Sequence, residues 1–440
     1  MLLGLAMLCY MPIVQGQDTL RIDLSKAIEI GLSTSPTILI AEKQLERVDY
    51  SKKERLAGLL PSISGGGSYQ RALKKQRMFF TIPGMQADPN GIEVGQDNSF
   101  VGDITANLPI IAPTLWATLR LNEVDLQMAY EASRSSKIQL VHQITKAYYS
   151  ILLMQESYNV FEKNYKFTLE STNVIANKYK LGSTSEFEWL RADVQLRNAA
   201  NSLMSAESAI AMSKLQLITL MGLPIETEIE VLGSLAEYEN ELYAELMKID
   251  LKGLDKNTDI RQIDLRADQL EKSLEIHKSS FLPTLGAQFK YQYMAMADDN
   301  IKLANYRWFP ISNVGISLSI PIFQGGARVF KQKQIELQKE ELKFQKTNLR
   351  KNLELQVLMA LENMKKSIDK IDLNKKALQQ AEKALKISDK MYELGTGTFI
   401  DNSNSKLALV QAGLSFNQSI FDFISAKADL EKILGNSFNE

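Results

Sequence analysis

The chain is written twice, and no other feature narrows its possible folds as much. Leu60-Pro61-Ser62-Ile63 returns as Leu282-Pro283-Thr284-Leu285, and Ser35-Pro36-Thr37-Ile38 returns at the same offset of 222 as Asn257-Thr258-Asp259-Ile260. Leu108-Pro109-Ile110 matches Ile320-Pro321-Ile322, and Tyr179-Lys180-Leu181-Gly182 matches Tyr392-Glu393-Leu394-Gly395, at offsets of 212 and 213. The ten-residue change in offset falls between the Leu-Pro and Pro-Ile landmarks. One loop is therefore longer in the first copy and everything around it keeps register. Each copy reads as helix, strand, loop, strand, long helix, Leu-Gly turn, helix.

Residues 114–181 and 327–394 each run for 68 residues without a Gly or Pro. At 1.5 Å per residue such a helix is about 100 Å long, far beyond an ordinary globular helix. In the second of them Leu361, Met364, Ile368, Ile371, Leu378, Ala381 and Leu385 keep 3/4 spacing, interrupted by Lys375 and Ser388. That narrow seam predicts packing against a neighbouring helix. Its small and polar members suit the wall of a wide tube better than a dry two-helix core.

Between the long helices the period changes to two. Leu285, Ala287, Phe289, Tyr291 and Tyr293 alternate with Gly286, Gln288, Lys290 and Gln292, and Val314, Ile316, Leu318 and Ile320 alternate with Gly315, Ser317 and Ser319. In the first copy Phe100, Ile104, Ala106 and Leu108 alternate with Val101, Asp103, Thr105 and Asn107, and Ile63 and Tyr69 with Ser62, Ser64, Ser68 and Gln70. Runs of about 9–11 residues suit tilted strands that cross a bilayer with one face on lipid. Phe79, Phe80, Tyr291, Tyr293, Trp308, Phe309 and Trp116 cluster near the strand ends, where interfacial aromatic belts lie. Gly65-Gly66-Gly67 lacks a following GK[ST] and is read as a place where a strand curves. Arg71 falls on the apolar parity, so that face is expected to end before it. Four strands cannot close a barrel, and an open edge in lipid costs several kcal/mol per unpaired group. Three copies would supply twelve strands around a water-filled bore.

Composition excludes several other classes. The chain is 45% hydrophobic and 23% charged with a net charge of −1, which points to a folded protein with no bias toward nucleic acid. Its one cysteine, Cys9, lies in an apolar run over residues 1–14 that reads as a signal peptide, with cleavage expected after Gly16 although no Lys or Arg precedes the run. No later stretch is long and apolar enough for a membrane helix. His142 and His277 lack metal-ligand spacing and read as packing or solvated histidines. With no nucleophile elbow, dinucleotide fingerprint or P-loop, the expectation is no enzyme, no cofactor and no metal.

The doubled order, the prolines flanking the strand pairs and the paired Leu-Gly turns resemble the TolC family of outer-membrane efflux proteins across nearly all of the chain. The resemblance implies a mainly α fold with a transmembrane β-barrel contribution: a homotrimer with a twelve-stranded barrel in outer-membrane lipid and an α-helical barrel in the periplasm of a Gram-negative cell. The expected layout is a signal peptide over 1–16 and a first repeat over 17–221, with strands about 62–72 and 99–108 and helices 114–181 and 184–221. An equatorial linker region follows over 222–256. The second repeat then spans 257–435, with strands about 284–294 and 312–320 and helices 327–394 and 398–434, before a tail over 436–440.

By the same resemblance, Leu181, Gly182 and Ser183 and Leu394, Gly395 and Thr396 are the tips that dock a periplasmic adaptor (membrane fusion) protein, itself joined to an inner-membrane RND or ABC transporter. Tyr392, Glu188, Asp401 and Asn404 stand at the periplasmic gate. Gly397 replaces the family prototype's gate arginine, and Asn404 its second aspartate. An aspartate at 401 also suits a cap for the helix after the turn. The function implied is a passive duct for small molecules such as drugs or toxic compounds. A type I protein secretion duct is the alternative within the class, and a secreted coiled-coil structural or adaptor protein the alternative outside it.

Overall fold

The computed structural model describes residues 19–79, 90–240 and 251–435. The leader with Cys9 and its cleavage point, Phe80, part of the linker region and the tail over 436–440 lie outside the described residues. The elements are β1 (Leu20–Ile22), α1 (Leu24–Thr34), α2 (Pro36–Ala57), β2 (Ser62–Arg71), β3 (Gln76–Met78), β4 (Ile92–Val94), β5 (Asn98–Ile111), α3 (Pro113–Lys180), α4 (Glu186–Met221), β6 (Ile229–Val231), α5 (Thr258–Ser279), β7 (Thr284–Ala297), β8 (Trp308–Ser319), α6 (Ala327–Glu393) and α7 (Phe399–Leu434), with short 3-10 turns between some of them. Both α2 and α3 open on a proline, whose missing N–H costs nothing at the first helical position.

The chain forms two compact units. The first, Met1–Gln44 with Tyr130–Gln262 and Gln345–Glu440, is, among its described residues, mainly helical and holds the parallel pair β1 and β6, in which Ile22 lies beside Val231. Its core centres on Tyr148, Ile144, Leu152, Leu217 and Phe423, all almost fully buried. The Tyr148 hydroxyl donates to the Leu232 carbonyl, which gives a buried phenol its partner. On α6, Leu353, Val357, Ala360, Met364, Ser367 and Ile371 are buried at 3/4 spacing. The seam thus continues N-terminal to the residues that the sequence pattern picks out.

Within this unit each repeat closes on itself in the same way. The α4 helix ends at Gly222 (φ 73°), and the Thr34 hydroxyl donates to the Met221 carbonyl at 2.5 Å. The α7 helix ends at Gly435 (φ 70°), and Asn257 Nδ2 donates to the Ile433 carbonyl at 2.7 Å. Asn257 Oδ1 meanwhile accepts from the N–H groups of Asp259 and Ile260, capping α5.

The second unit, Leu45–Ala129 with Ile263–Phe344, holds an antiparallel sheet of order β2-β5-β7-β8. Register, not composition, makes it amphipathic. Ile63, Ala106, Phe289 and Val314 lie side by side on one face, while Ser64, Thr105, Lys290 and Asn313 share the other. The next rows repeat the division, with Leu108, Ala287 and Ile316 against Asn107, Gln288 and Gly315. At one end of the apolar face Tyr69 packs on Phe100 at 4.6 Å between ring centres, and Tyr293 stacks on Trp308 at 5.7 Å. Phe309 pairs with Met294 and falls on the opposite face, so it does not join that aromatic group. Arg71, beyond the last apolar row of β2, pairs with Asn98, and its guanidinium binds Asp299 at 2.6 Å.

Three of the four strands run further than their alternation predicts: β5 from Asn98 to Ile111, β7 to Ala297, and β8 from Trp308. Pro109 breaks the β5 ladder with a register shift, and Pro310 sits in an edge strand that tolerates a missing donor. Gly66 has a packing reason: a Cβ there would lie 3.0 Å from Asp103 Oδ1. Among the described residues no helix is long and apolar enough to cross a membrane.

Candidate functional site

The two turns that end the long helices have one design. At the first, Gly182 (φ 71°) donates to the Tyr179 carbonyl at 2.9 Å and Ser183 to the Lys178 carbonyl at 2.8 Å. At the second, Gly395 (φ 76°) donates to Tyr392 at 3.1 Å and Thr396 to Met391 at 2.9 Å. These paired bonds satisfy the last helical carbonyls, and the left-handed residue they require is a glycine in both. Nothing lies within 4 Å of where a Cβ on Gly182 or Gly395 would stand. Leu181 and Leu394 are 81% and 78% exposed, so each tip presents an unburied apolar side chain beside open backbone.

The helices leaving the tips are capped differently. Ser185 accepts from the Glu188 N–H at 3.2 Å, while the Glu188 carboxylate takes the Thr184 hydroxyl. Thr398 and Asp401 form a reciprocal capping box: Asp401 N–H donates to Thr398 Oγ1 at 3.1 Å, and Asp401 Oδ2 accepts from the Thr398 N–H and hydroxyl. In the protomer, then, Asp401 acts as a helix cap. Asn404, one turn on, is exposed. Gly397 has a steric basis: a Cβ there would stand 3.0 Å from the Met391 Cβ and 3.3 Å from the Tyr392 nitrogen. A larger residue at 397 requires its neighbours to give by a few tenths of an ångström.

Tyr392 is partly buried in a small cluster with Ile175, Ala192, Trp189 and Phe399, which joins the two hairpins. Its ring lies 6.3 Å from Phe399, and Lys178 Nζ sits 5.2 Å above it. Burial first, and the Glu188 charge second, push the Tyr392 phenol above its ordinary range. Glu188 and Tyr392 are thus within electrostatic reach, and the hydrogen bond of the Glu188 carboxylate goes to its own turn. Sequence reasoning missed the polar ties beside this cluster. Asn402, only 2% exposed, donates to Asp389 at 2.6 Å, and Ser403 donates to Gln195 at 2.9 Å, tying α7 to α4. Their one sequence signal is the run of polar residues 401–405 at the start of a helix.

Both histidines are hydrogen-bonded through Nε2. His142 Nε2 meets Asp429 at 2.6 Å, and His277 Nε2 meets the Arg328 carbonyl at 2.7 Å with its ring edge-on to Phe281. Among the described residues no group of three or more His, Cys, Asp or Glu is placed to hold a metal ion.

The family described as Outer membrane efflux protein matches residues 27–223 and 252–436 of the chain. The alkaline protease secretion protein AprF of Pseudomonas aeruginosa is 20% identical over 420 residues, covering 95% of this chain and 85% of AprF. Outer membrane protein TolC of Vibrio cholerae is 18% identical over 320 residues, 73% of each chain. Among solved structures, the CmeC outer membrane channel of Campylobacter jejuni superposes with a TM-score of 0.72 at 18% identity, covering 94% of this chain and 85% of CmeC.

Proposed function

From the premise that the chain belongs to the outer membrane efflux protein family, we propose that three copies join edge to edge into one duct that passively carries small toxic molecules out of a tripartite export complex. Location in the outer membrane and the role of an efflux channel follow from the family; the trimer, cargo, partners and gate are the proposal. The observation that carries it is the register of the sheet, which divides one apolar face from one polar face across all four strands while leaving β2 and β8 with open edges. Lipid on one side and water on the other is the environment that satisfies both faces. Head-to-tail pairing of β8 with β2 of the next copy removes both edges and keeps every neighbour antiparallel, because the strand number is even.

The two tips support docking of a periplasmic adaptor, which an inner-membrane RND or ABC transporter would drive, since the channel itself supplies no energy. Glu188, Tyr392, Asp401 and Asn404 sit close behind them and form the proposed gate. Reconstitution in planar bilayers tests both levels. The expected result is a heat-modifiable trimer with a cation-attracting resting pore, whose block by multivalent cations is lost in Asp401→Asn. Recovery as a soluble periplasmic monomer would overturn the channel reading; unchanged block would move the constriction elsewhere.

The similarity to AprF over almost the whole chain favours a second reading, a duct for secreted polypeptide. Complementation separates the two readings. Restored drug resistance in a strain lacking its own channel supports efflux, and restored protease secretion supports the other.

A further inference from the structure

Away from the tips, α3, α6 and α7 enclose a cleft of about 290 Å³ within the first unit. Leu378, Leu385, Leu409, Val410 and Phe416 make its walls apolar. One cationic group projects into it from α7. Lys406 is partly buried, and its ammonium donates to the Phe167 carbonyl at 3.4 Å and to the Ser171 hydroxyl. These neutral acceptors use two of its three hydrogens. Among the described residues no carboxylate lies within ion-pair reach of it.

A partly buried cation held only by neutral oxygens is an incomplete arrangement, since desolvation is normally offset by an opposite charge. Its neighbourhood repeats the point. Burial pushes the Lys406 ammonium below the ordinary lysine value, and the more distant charges of Asp389 and Glu170 oppose that shift without cancelling it. Of the other charged side chains lining the cleft, Lys163 and Glu382 are exposed to solvent, and Glu156, which accepts from Ser234 at 3.2 Å, does not pair with Lys406. Gly413 lets α7 approach α3 closely at the floor, since a Cβ there would stand 3.2 Å from Val160 Cγ2.

We propose that this cleft is a binding site for a small amphipathic monoanion, its apolar body lying among the leucines and its carboxylate or sulfonate meeting Lys406. The size agrees, standing near the lower end of the roughly 300–1,000 Å³ typical of small-molecule sites. The charge complementarity is specific: an apolar cavity of this kind would take neutral and anionic hydrocarbons alike, and Lys406 makes it prefer the anion. The proposal requires no particular cargo for the duct, so it stands or falls separately from the export reading.

Equilibrium dialysis on the full assembled protein in amphipol tests it, with phenylbutyrate as the probe and phenylbutanol as its neutral counterpart. Wild type is expected to bind the acid at least tenfold more tightly than the alcohol. Lys406→Met, which keeps the stem and removes the charge, should erase that preference, and Lys406→Arg should retain it. Val410→Trp, which fills the cleft, should abolish binding of both probes. Equal affinity of wild type for acid and alcohol would overturn the proposal, even if Lys406→Met failed to assemble. So would binding that survives in Val410→Trp, or an undiminished acid preference in Lys406→Met.

Discussion

Four glycines end the long helices of this chain, and the two at the tips differ from the two at the opposite helix ends in one respect. Gly182, Gly395, Gly222 and Gly435 all adopt φ between 70° and 76°. In each case the glycine N–H turns back to a carbonyl of the helix's last turn. The surroundings are opposite. A Cβ on Gly222 would lie 2.6 Å from the Thr34 carbonyl oxygen, and one on Gly435 would lie 2.6 Å from that of Lys256, whereas at the tips it would meet nothing. One local motif therefore serves as a packed joint at one end of the helices and as an open surface at the other. Local turn chemistry does not decide which; the element packed on top does.

The largest expected effect breaks the joints. Gly222→Ala or Gly435→Ala adds left-handed strain to a collision with rigid backbone, together about 2–5 kcal/mol. Thermal unfolding should show a large loss in midpoint, and a shift no greater than at the tips would dissolve the distinction. Gly182→Ala and Gly395→Ala meet only the backbone term, about 1–2 kcal/mol. Gly395→Trp should leave the folded trimer intact yet abolish export, because it fills the space that the tip holds open. Undiminished export in that variant would remove docking from the tip.

Between the two tips a finer contrast is open to test. Thr398→Ala removes the hydroxyl of a reciprocal capping box, whereas Ser185→Ala removes a one-way cap. Both should cost about 1 kcal/mol, with the larger loss at Thr398. Amide exchange in the first turns of α7 and α4 measures each directly, and equal protection loss would show that the return bond from Asp401 adds nothing.

The smallest effect concerns pH. Burial acts to raise the Asp429 pKa, but the bonds and charges of His142 and Lys146 outweigh it and hold the group below the ordinary carboxylate value. A depressed carboxylate contributes stability above its unfolded pKa and loses it as pH falls through the folded one. Asp429→Asn should therefore narrow the gap between neutral and acid stability. Because Asp429 is almost half exposed, solvent screening keeps the change small. An unaltered acid profile would show that the pair is energetically idle.

These contrasts mark how far the sequence can be read. The repeat, the β alternation and the α6 seam are legible because each is a periodicity imposed by burial along one element. Residues 181–182 and 434–435 are both Leu-Gly, however, and only the fold distinguishes the open tip from the joint that Lys256 and Asn257 fill. The candidate gate divides the same way. Tyr392 feels the Glu188 charge, but the Glu188 carboxylate bonds to Thr184 in its own turn. The Asp401 capping box, the buried Asn402–Asp389 pair and the steric need for Gly397 depend on contacts three to thirteen residues apart, which no hydrophobic pattern reports. The ladder extends past the alternation where Pro310 and the polar residues near Asn98 interrupt the pattern but not the pairing.

The β5–β7 pairing has a consequence for how such an assembly arises. In the closure proposed above, β8 meets β2 of the next copy: the second strand of one hairpin against the first strand of another. β5 meets β7 in the same relation inside a single chain. The molecule therefore carries within its own backbone a covalently tethered copy of its subunit seam. A half-length ancestor, one hairpin per chain, would have built the same wall from six identical pieces, with every seam exposed to dissociation. With two hairpins in one chain, alternate seams become intramolecular contacts, which form at high effective concentration.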